Sequence, residues 1–254
     1  MSGLALRAER VSLGHGAGPV VRELDFDVRP GEVLAVLGAS GCGKSTLLRS
    51  LAGLLPVVAG RLLADGEPVT GPSPERALMF QDDALLPWRT VRRNVELPLA
   101  IRGLDRAARR DRAGLWLDRV GLAHHADRLP AQLSGGMRQR VQLARTLAGE
   151  PRAVLMDEPF GALDAQTRGA MQRLLADVLS STAATVVFVT HDVDEALFVA
   201  DRVAVLEPGG VRTLVDVPEP RDPATRGTPL VRAARMELLG ALGATDPYVR
   251  SLSS

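Results

Sequence analysis

A glycine-rich segment between a short apolar run and a helical run of leucines constrains the fold of this chain more than any other feature. The segment, Gly38 to Thr46, reads Gly-Ala-Ser-Gly-Cys-Gly-Lys-Ser-Thr. The run before it, Val33 to Leu37, has the length and apolar character of a buried strand. Three leucines follow it at helical spacing: Leu47, Leu48 and Leu51. We therefore predict a strand, a tight glycine turn and a helix in direct succession.

The spacing of this segment, G-x-x-x-x-G-K-S, is typical of a loop that cradles nucleotide phosphates. Backbone N–H groups of such a turn converge on an anion, and the helix N-terminus adds roughly half a positive charge. Lys44 is the only lysine among the 31 Lys and Arg residues, and a compact ammonium suits a place among phosphate oxygens. The alternative is a chance glycine-rich turn. The residues that we expect around the phosphates, with the Ser45 hydroxyl on Mg²⁺, are Gly38, Ser40, Gly41, Cys42, Gly43, Lys44, Ser45 and Thr46.

Length and composition narrow the class of protein. A chain of 254 residues predicts one large α/β domain with room for a subdomain. The net charge is +1 with no basic block, so we expect no nucleic-acid partner. No apolar run approaches the length of a membrane span, and the N-terminus lacks the apolar core of a signal peptide. The single cysteine, Cys42, excludes an internal disulfide and fits a reducing compartment.

Predicted strands and helices alternate along most of the chain, which favours a mostly parallel sheet covered on both faces. Strand-only segments at both ends predict an added antiparallel layer. The stretch from Thr90 to Ala148 is helical in pattern, with Asp105 as the N-cap of a helix that runs to about Val120. The other predicted elements are strands Leu4–Leu13, Val20–Val28, Arg61–Ala64, Glu67–Val69, Ala77–Phe80, Ala153–Met156, Thr185–Thr190, Arg202–Leu206 and Val211–Asp216, and helices Ala165–Ser180 and Leu230–Leu242.

Two carboxylates, Asp157 and Glu158, end the apolar strand that begins at Ala153. Ligands of parallel sheets bind at the carboxyl ends of the strands, so we expect Asp157 beside a Mg²⁺ held by Ser45. Glu158 is then placed to polarise a water for in-line attack on a γ-phosphate. The alternative is a solvated acidic loop.

A second helix start, Ser134-Gly135-Gly136, precedes a helical run to Ala148. A serine cap followed by two glycines leaves backbone amides unobstructed, which makes a second anion site. One nucleotide needs only one complete phosphate site. We therefore expect this surface to close over a nucleotide held by another copy of the chain, and the alternative is an ordinary N-capped helix.

Together these motifs resemble the ATPase subunits of ABC transporters, from about Leu4 to Asp222. The resemblance implies one ABC ATPase domain over 1–254: an α/β P-loop NTPase fold with a mostly parallel central sheet, an antiparallel β layer and a helical subdomain near 88–150. A short C-terminal tail, about 218–254, follows. The motifs stand in the family's order: Gly38–Thr46, Gln81, Leu133–Gln139, Asp157-Glu158, Ala162-Leu163-Asp164 and His191.

In this family two subunits sandwich two ATP molecules head to tail, so the resemblance implies a homodimer with ATP and Mg²⁺. It assigns Gln81 to Mg²⁺ and the attacking water, Asp157 to Mg²⁺ and Glu158 to the general base. His191 corresponds to the switch histidine that touches the γ-phosphate, although a lone histidine after a strand is more often structural. The residues implied to act across the dimer are Ser134, Gly135, Gly136 and Asp164. The family stacks adenine on an aromatic residue where this chain has His15, whose imidazole offers a smaller surface.

The stretch from Gln81 to Val95 closely resembles the ATPases of nitrate, taurine and aliphatic-sulfonate importers, which are chains separate from their permeases. This likeness implies a subunit on the cytoplasmic face of the inner membrane, with two integral-membrane permease subunits and, indirectly, a solute-binding protein as partners. Leu85, Leu86 and Trp88 would form a groove for a permease helix, or alternatively would pack inside the helical subdomain. An importer ATPase for a thiamine precursor, another organic ion or a metal is the alternative function, followed by a non-transport ABC ATPase.

Overall fold

The computed structural model describes residues 2–15, 18–161, 163–207 and 209–243. These residues contain ten strands and seven α-helices. The strands are β1 Leu6–His15, β2 Gly18–Val28, β3 Val33–Leu37, β4 Ala59–Ala64, β5 Glu67–Pro68, β6 Arg76–Met79, β7 Ala153–Asp157, β8 Thr185–Val189, β9 Arg202–Glu207 and β10 Gly210–Asp216. The helices are α1 Lys44–Leu51, α2 Val91–Ile101, α3 Arg106–Arg119, α4 Gly135–Ala148, α5 Ala165–Ser180, α6 Val193–Val199 and α7 Pro229–Gly243.

The central sheet has six strands in the order β10-β9-β3-β8-β7-β6. Its strands run parallel except β10, which pairs antiparallel with β9 at one edge. Every residue of β3 and β8 is buried, as expected for strands covered on both faces, and their sequences are continuously apolar apart from Thr185. The mostly parallel sheet predicted from the sequence is therefore confirmed. The segments after β3, β6, β7 and β8 all leave at the same edge of the sheet.

A second sheet, β2-β1-β4-β5, is antiparallel throughout. Its buried side chains share one hydrophobic core with α1, including Leu13 and Leu24 from the sheet and Leu48 from the helix. The antiparallel layer thus comes from the N-terminal part of the chain. The prediction that the C-terminal strands belong to it is wrong, because β9 pairs with β3 and carries β10 onto the central sheet.

Helices α2, α3 and α4 pack against one another and bury Leu99, Leu117 and Leu143 completely. Asp105 caps α3 as predicted, because its Oδ1 accepts hydrogen bonds of 2.9 Å from the amides of Ala107 and Ala108. In the described ranges, no helix is both long enough and apolar enough to cross a membrane.

Helix α6, Val193–Val199, was not predicted from the sequence. It has only seven residues, and the last four, Ala196 to Val199, are all apolar. No polar face therefore reveals a helical period. Asp192 begins it by accepting hydrogen bonds from the amides of Asp194 and Glu195 at 2.8 and 3.1 Å. This cap fixes the backbone directly after His191.

Candidate active site

The glycine-rich loop lies between β3 and α1, at the centre of the main sheet. Gly41 and Gly43 have φ values of +80° and +104°, a region that favours glycine. A Cβ on Gly43 would lie 2.3 Å from Cγ2 of Val21, so the loop also packs too closely against β2 for any other residue. Gly43 begins α1 without a side-chain hydrogen bond, which leaves the first amides of the helix to a ligand.

Lys44 bends back over this loop. Its Nζ donates hydrogen bonds to the carbonyl oxygens of Gly38 at 2.7 Å and Ala39 at 2.9 Å, and the residue is only 9% exposed. An ammonium has three N–H donors, so one remains for a ligand above the loop.

The Ser45 hydroxyl donates a 3.1 Å hydrogen bond to Oδ1 of Asp157. Ser45 lies in the first turn of α1, and Asp157 ends β7, two strands away from β3 in the sheet. Because both strands end at the same edge, a hydroxyl and a carboxylate that are 112 residues apart in sequence become neighbours. The expected proximity of these two residues is present in the structure.

Glu158 lies at the point where three strand ends converge. Its Oε2 accepts from Nε2 of Gln81 at 3.5 Å, and its Oε1 is 3.5 Å from Nδ1 of His191. The amide of Glu158 donates to the carbonyl of Val189, the last residue of β8, and its φ is +46°. A non-glycine residue in this conformation is held there by its surroundings, a condition common at functional sites.

These groups line one pocket with a volume of about 590 Å³, within the usual range for ligand sites. Of the described residues, those lining it are Val20, Gly38, Ser40, Gly41, Gly43, Lys44, Ser45, Thr46, Gln81, Glu158 and His191. Val20 was missed by the sequence analysis. It is half-exposed on β2, and only the packing of that strand against the loop reveals it.

Cys42 is a predicted site residue that does not belong to the described lining of this pocket. The Cys42 thiol is buried in the core beneath the loop, and burial raises its pKa above the ordinary thiol value. A Cβ on Gly38 would lie 2.8 Å from Cys42 Sγ, so the thiol supports the loop from below. His15 ends β1, but its side chain falls outside the part of the chain that the structure describes, as does Ala162.

The second predicted anion site begins α4. Ser134 is the N-cap, and its Oγ accepts from the amide of Met137 at 3.4 Å. Ser134 and Gly135 are exposed, and a Cβ on Gly136 would lie 2.5 Å from Cγ2 of Thr167. None of these three residues belongs to the described lining of the pocket around Lys44. One chain therefore carries two separate helix starts that suit an anion.

A family model described as ABC transporter matches residues 21–161, more than half of the chain. The chain belongs to the ABC transporter family. It is an ATPase of that family.

Curated relatives match nearly the whole chain. The taurine import ATP-binding protein TauB of Chromobacterium violaceum is 45% identical over 235 residues, 92% of this chain and 90% of its own length. The nitrate import ATP-binding protein NrtD of Synechocystis sp. is 43% identical over 219 residues, 85% of this chain and 82% of its own length. These relatives are similar to this chain along the same ABC ATPase domain.

Solved ABC ATPases share the fold. A dimeric, post-hydrolysis structure of the ATP-binding cassette MJ0796 with ADP and Pi has a TM-score of 0.75 and 29% identity, covering 84% of this chain and 99% of that one. CbiO1 of Clostridium perfringens, part of the transporter complex cbiONQ, has a TM-score of 0.78 and 26% identity, covering 98% of each chain. The predicted P-loop NTPase architecture of an ABC ATPase is confirmed.

Helix α4 of this ABC ATPase also holds two segments of the pocket around Lys44. Gln139 Nε2 donates to the carbonyl of Pro159 at 2.7 Å, directly after Glu158. Gln142 Nε2 donates to the carbonyls of Phe80 and Asp82, on either side of Gln81, at 2.8 and 3.0 Å. Both glutamines are buried, and the sequence analysis missed their roles because helical periodicity does not distinguish a buried amide from a core position.

Asp164 is the N-cap of α5 in this subunit. Its Oδ1 accepts from the amides of Gln166 and Thr167 at 3.1 and 3.0 Å. The hydrogen bonds from the side chain and the amide of Thr167 contribute most to lowering the pKa of this carboxyl, and the hydrogen bond from the Gln166 amide contributes less. Within one copy the carboxylate therefore serves its own helix, and its predicted contact across a dimer stays a prediction.

The loop after Gln81 exposes one large aromatic residue. Trp88 is 73% exposed, whereas Leu85 is buried in the core, so the sequence interpretation of Leu85 as part of an open groove is wrong. Asn94, itself fully buried, fixes the loop by donating to the carbonyls of Leu86 and Arg89 and accepting from the amide of Leu86. Trp88 is thus an exposed apolar side chain on a loop of defined shape.

Proposed function

We propose that this chain is the ATP-hydrolysing subunit of an importer for a small solute, of the nitrate, taurine or aliphatic-sulfonate type. It acts as a homodimer beneath two separate permease subunits, on the cytoplasmic face of the inner membrane. The observation that carries the proposal is the pair of helix starts that suit an anion in one chain, at Lys44 and at Ser134, combined with taurine and nitrate import relatives at 45% and 43% identity.

The homodimer follows from the separation of these two sites. In a head-to-tail pair, the start of α4 in one copy meets the γ-phosphate held by Lys44 of the other, and the pair contains two composite ATP sites. The exposed, capped start with Ser134 and Gly135 suits this contact, because the first amides and the dipole of the helix favour an anion. The dimeric state of the related MJ0796 cassette supports this arrangement.

The residues present fit Mg²⁺. Hard oxygen donors meet at the edge of the sheet: the Ser45 hydroxyl and the Asp157 carboxylate, 3.1 Å apart, with the Gln81 side chain lining the same pocket as Ser45. When bound, Mg²⁺ would neutralise charge on the phosphates of ATP. Ser45 and Asp157 would hold it together with phosphate oxygens, and Gln81 would complete the set.

In the proposed reaction Glu158 is the general base. Its carboxylate accepts the proton of the attacking water, and Gln81 and His191, both 3.5 Å from it, orient the water and the γ-phosphate. The loop amides and Lys44 stabilise the negative charge of the leaving phosphate. His191 is two-thirds exposed, so a partner subunit can reach it when the dimer closes.

Trp88 is the proposed contact with the permease. Its loop directly follows Gln81, so a permease segment seated on Trp88 would move with the nucleotide state of the ATP site. An exposed tryptophan on a loop fixed by Asn94 suits a protein interface, where large aromatic side chains contribute most of the binding energy.

A mixing experiment tests whether ATP sites form between copies. The Lys44→Ala chain loses its phosphate loop, and the Ser134→Arg chain loses its helix start, so each homodimer has two incomplete sites. In a mixture, the mixed dimer regains one complete site, and we expect ATPase activity well above that of either variant alone. Equal activity before and after mixing, with mixed dimers demonstrated by differently tagged chains, would contradict the composite site.

The Glu158→Gln variant tests the general base and the closed dimer together. The amide keeps the shape of the carboxylate but cannot take a proton, so we expect turnover to fall by about 10²- to 10⁴-fold. ATP should then convert the variant from monomer to dimer in light scattering. Glu237→Gln, an exposed change on α7, is the matched control and should hydrolyse ATP normally. Wild-type turnover in Glu158→Gln would place the base elsewhere.

A further inference from the structure

One guanidinium joins two segments of the ATP site that are far apart in sequence. Arg168, in the first turn of α5, donates from Nη2 to the carbonyl of Leu163 at 3.2 Å. Its Nη1 is 3.8 Å from Oδ2 of Asp192, and its Nε is 3.7 Å from Oε1 of Glu195. The guanidinium therefore bridges the turn before α5 and the segment that carries His191.

Glu195 connects Arg168 to the residue before His191. It is only 5% exposed, and its Oε2 accepts a 2.7 Å hydrogen bond from the hydroxyl of Thr190. That hydroxyl also accepts from the amide of Asp192 at 3.1 Å. A buried carboxylate requires partners, and here they are Thr190 and the Arg168 charge. The residues on both sides of His191 are thus tied to one network, while the imidazole itself is exposed.

The other end of the network lies beside the start of α4. The Cβ position of Gly136 is 2.5 Å from Cγ2 of Thr167 and 3.9 Å from Cδ2 of Leu163. The first turn of α5 and the start of α4 hence pack directly against each other. In the proposed dimer the start of α4 meets the nucleotide of the partner copy, and a shift of the buried Leu163 beside it is carried to Asp192 and Glu195 by the Arg168 guanidinium.

We propose that Arg168 is a positioning residue that makes the placement of His191 depend on the contact with the partner copy. This inference rests on the proposed homodimer and adds to it a route between the two ATP sites. Loss of the guanidinium leaves ATP binding intact, because none of its contacts with described residues is to the phosphate loop. It slows the chemical step, because His191 is no longer held against Glu158.

The test compares steady-state hydrolysis by Arg168→Gln, Arg168→Lys and a control on the same helix, Arg173→Gln, which is exposed. We expect Arg168→Gln to lower kcat by about 10- to 100-fold with little change in KM, since a small misplacement of a catalytic group has that effect. Arg168→Lys keeps the charge near Asp192 and should recover part of kcat. Arg173→Gln should match the wild type. An unchanged kcat in Arg168→Gln would overturn the proposal.

A second measurement asks whether Arg168 acts through His191. In a His191→Ala chain there is no imidazole to position, so Arg168→Gln should not lower the residual rate further. If it lowers that rate by the same factor as in the wild type, the proposal is wrong.

Thermal unfolding, and ATP-driven dimerisation in the Glu158→Gln background, distinguish a positioning role of Arg168 from a role in stability or in assembly. We expect Arg168→Gln to lower the melting temperature, because the buried Glu195 loses a charged partner, but to keep the ATP-driven dimer in the Glu158→Gln background. A dimer lost only when Arg168 is also changed would assign Arg168 to assembly and overturn its positioning role. If Glu158→Gln alone stays monomeric with ATP, the proposed homodimer itself is contradicted.

Discussion

Replacing Lys44 by alanine gives a quantitative test of the phosphate loop. Two of the three Nζ donors are engaged by the carbonyls of Gly38 and Ala39, so at least one is available to a phosphate oxygen. A hydrogen bond to a charged group contributes about 1.5–3 kcal/mol. Because 1.4 kcal/mol is about ten-fold in affinity, we expect the Kd for ATP to rise about 10- to 150-fold.

Isothermal titration calorimetry with ATP measures this change directly. Lys44→Arg is the matched charge control, and we expect it to bind poorly as well, because a wider guanidinium does not fit a position that is 9% exposed. The chain offers a second assay, since Lys44 is its only lysine. An amine-reactive label should reach one internal site and be excluded by ATP. A Kd for Lys44→Ala within about three-fold of the wild type would refute the reasoning, because the lost charged contact alone exceeds that factor.

Two further predictions concern exposed and buried side chains. Trp88→Ala should keep basal ATP hydrolysis but weaken co-purification with the permease, whereas Leu115→Ala, also exposed, should not; normal complex formation would count against the interface. Cys42 should react slowly with iodoacetamide in the folded protein, because burial both shields it and raises its pKa, which lowers the reactive thiolate fraction at neutral pH. The rate should climb towards that of urea-unfolded protein only as pH rises, and equal rates at pH 7.5 would contradict this.

Local patterns predicted most of the secondary structure. Strand β3 and helix α5 lie where the sequence predicted them, because an all-apolar run of five residues and a long amphipathic run each favour one element. Helix α6 was missed, because seven mostly apolar residues show no period. The prediction that the C-terminal strands join the antiparallel layer was also wrong. Strand pairing depends on which edge of a sheet is free in three dimensions, and β9 pairs with β3 in the central sheet.

Single residues indicated the candidate site, but they did not indicate how its parts are connected. Lys44, Asp157 and Glu158 were candidates because phosphate and metal chemistry favours such groups at the ends of strands. Val20 and Arg168 could not, because a valine on a strand or an arginine on a helix has no distinctive local pattern. Their places follow from long-range packing that brings β2 onto the loop and α5 beside α6.

The sequence by itself determined that the chain is an ABC ATPase, since short motifs with fixed spacing indicate that family. It also set the order of strands and helices, which depends on local periodicity. Only the tertiary structure decided that Trp88 is exposed while Leu85 is buried, and that Glu158 lies 3.5 Å from both Gln81 and His191. Those facts depend on contacts between residues tens of positions apart, and such contacts form only when the sheet and its helices pack together.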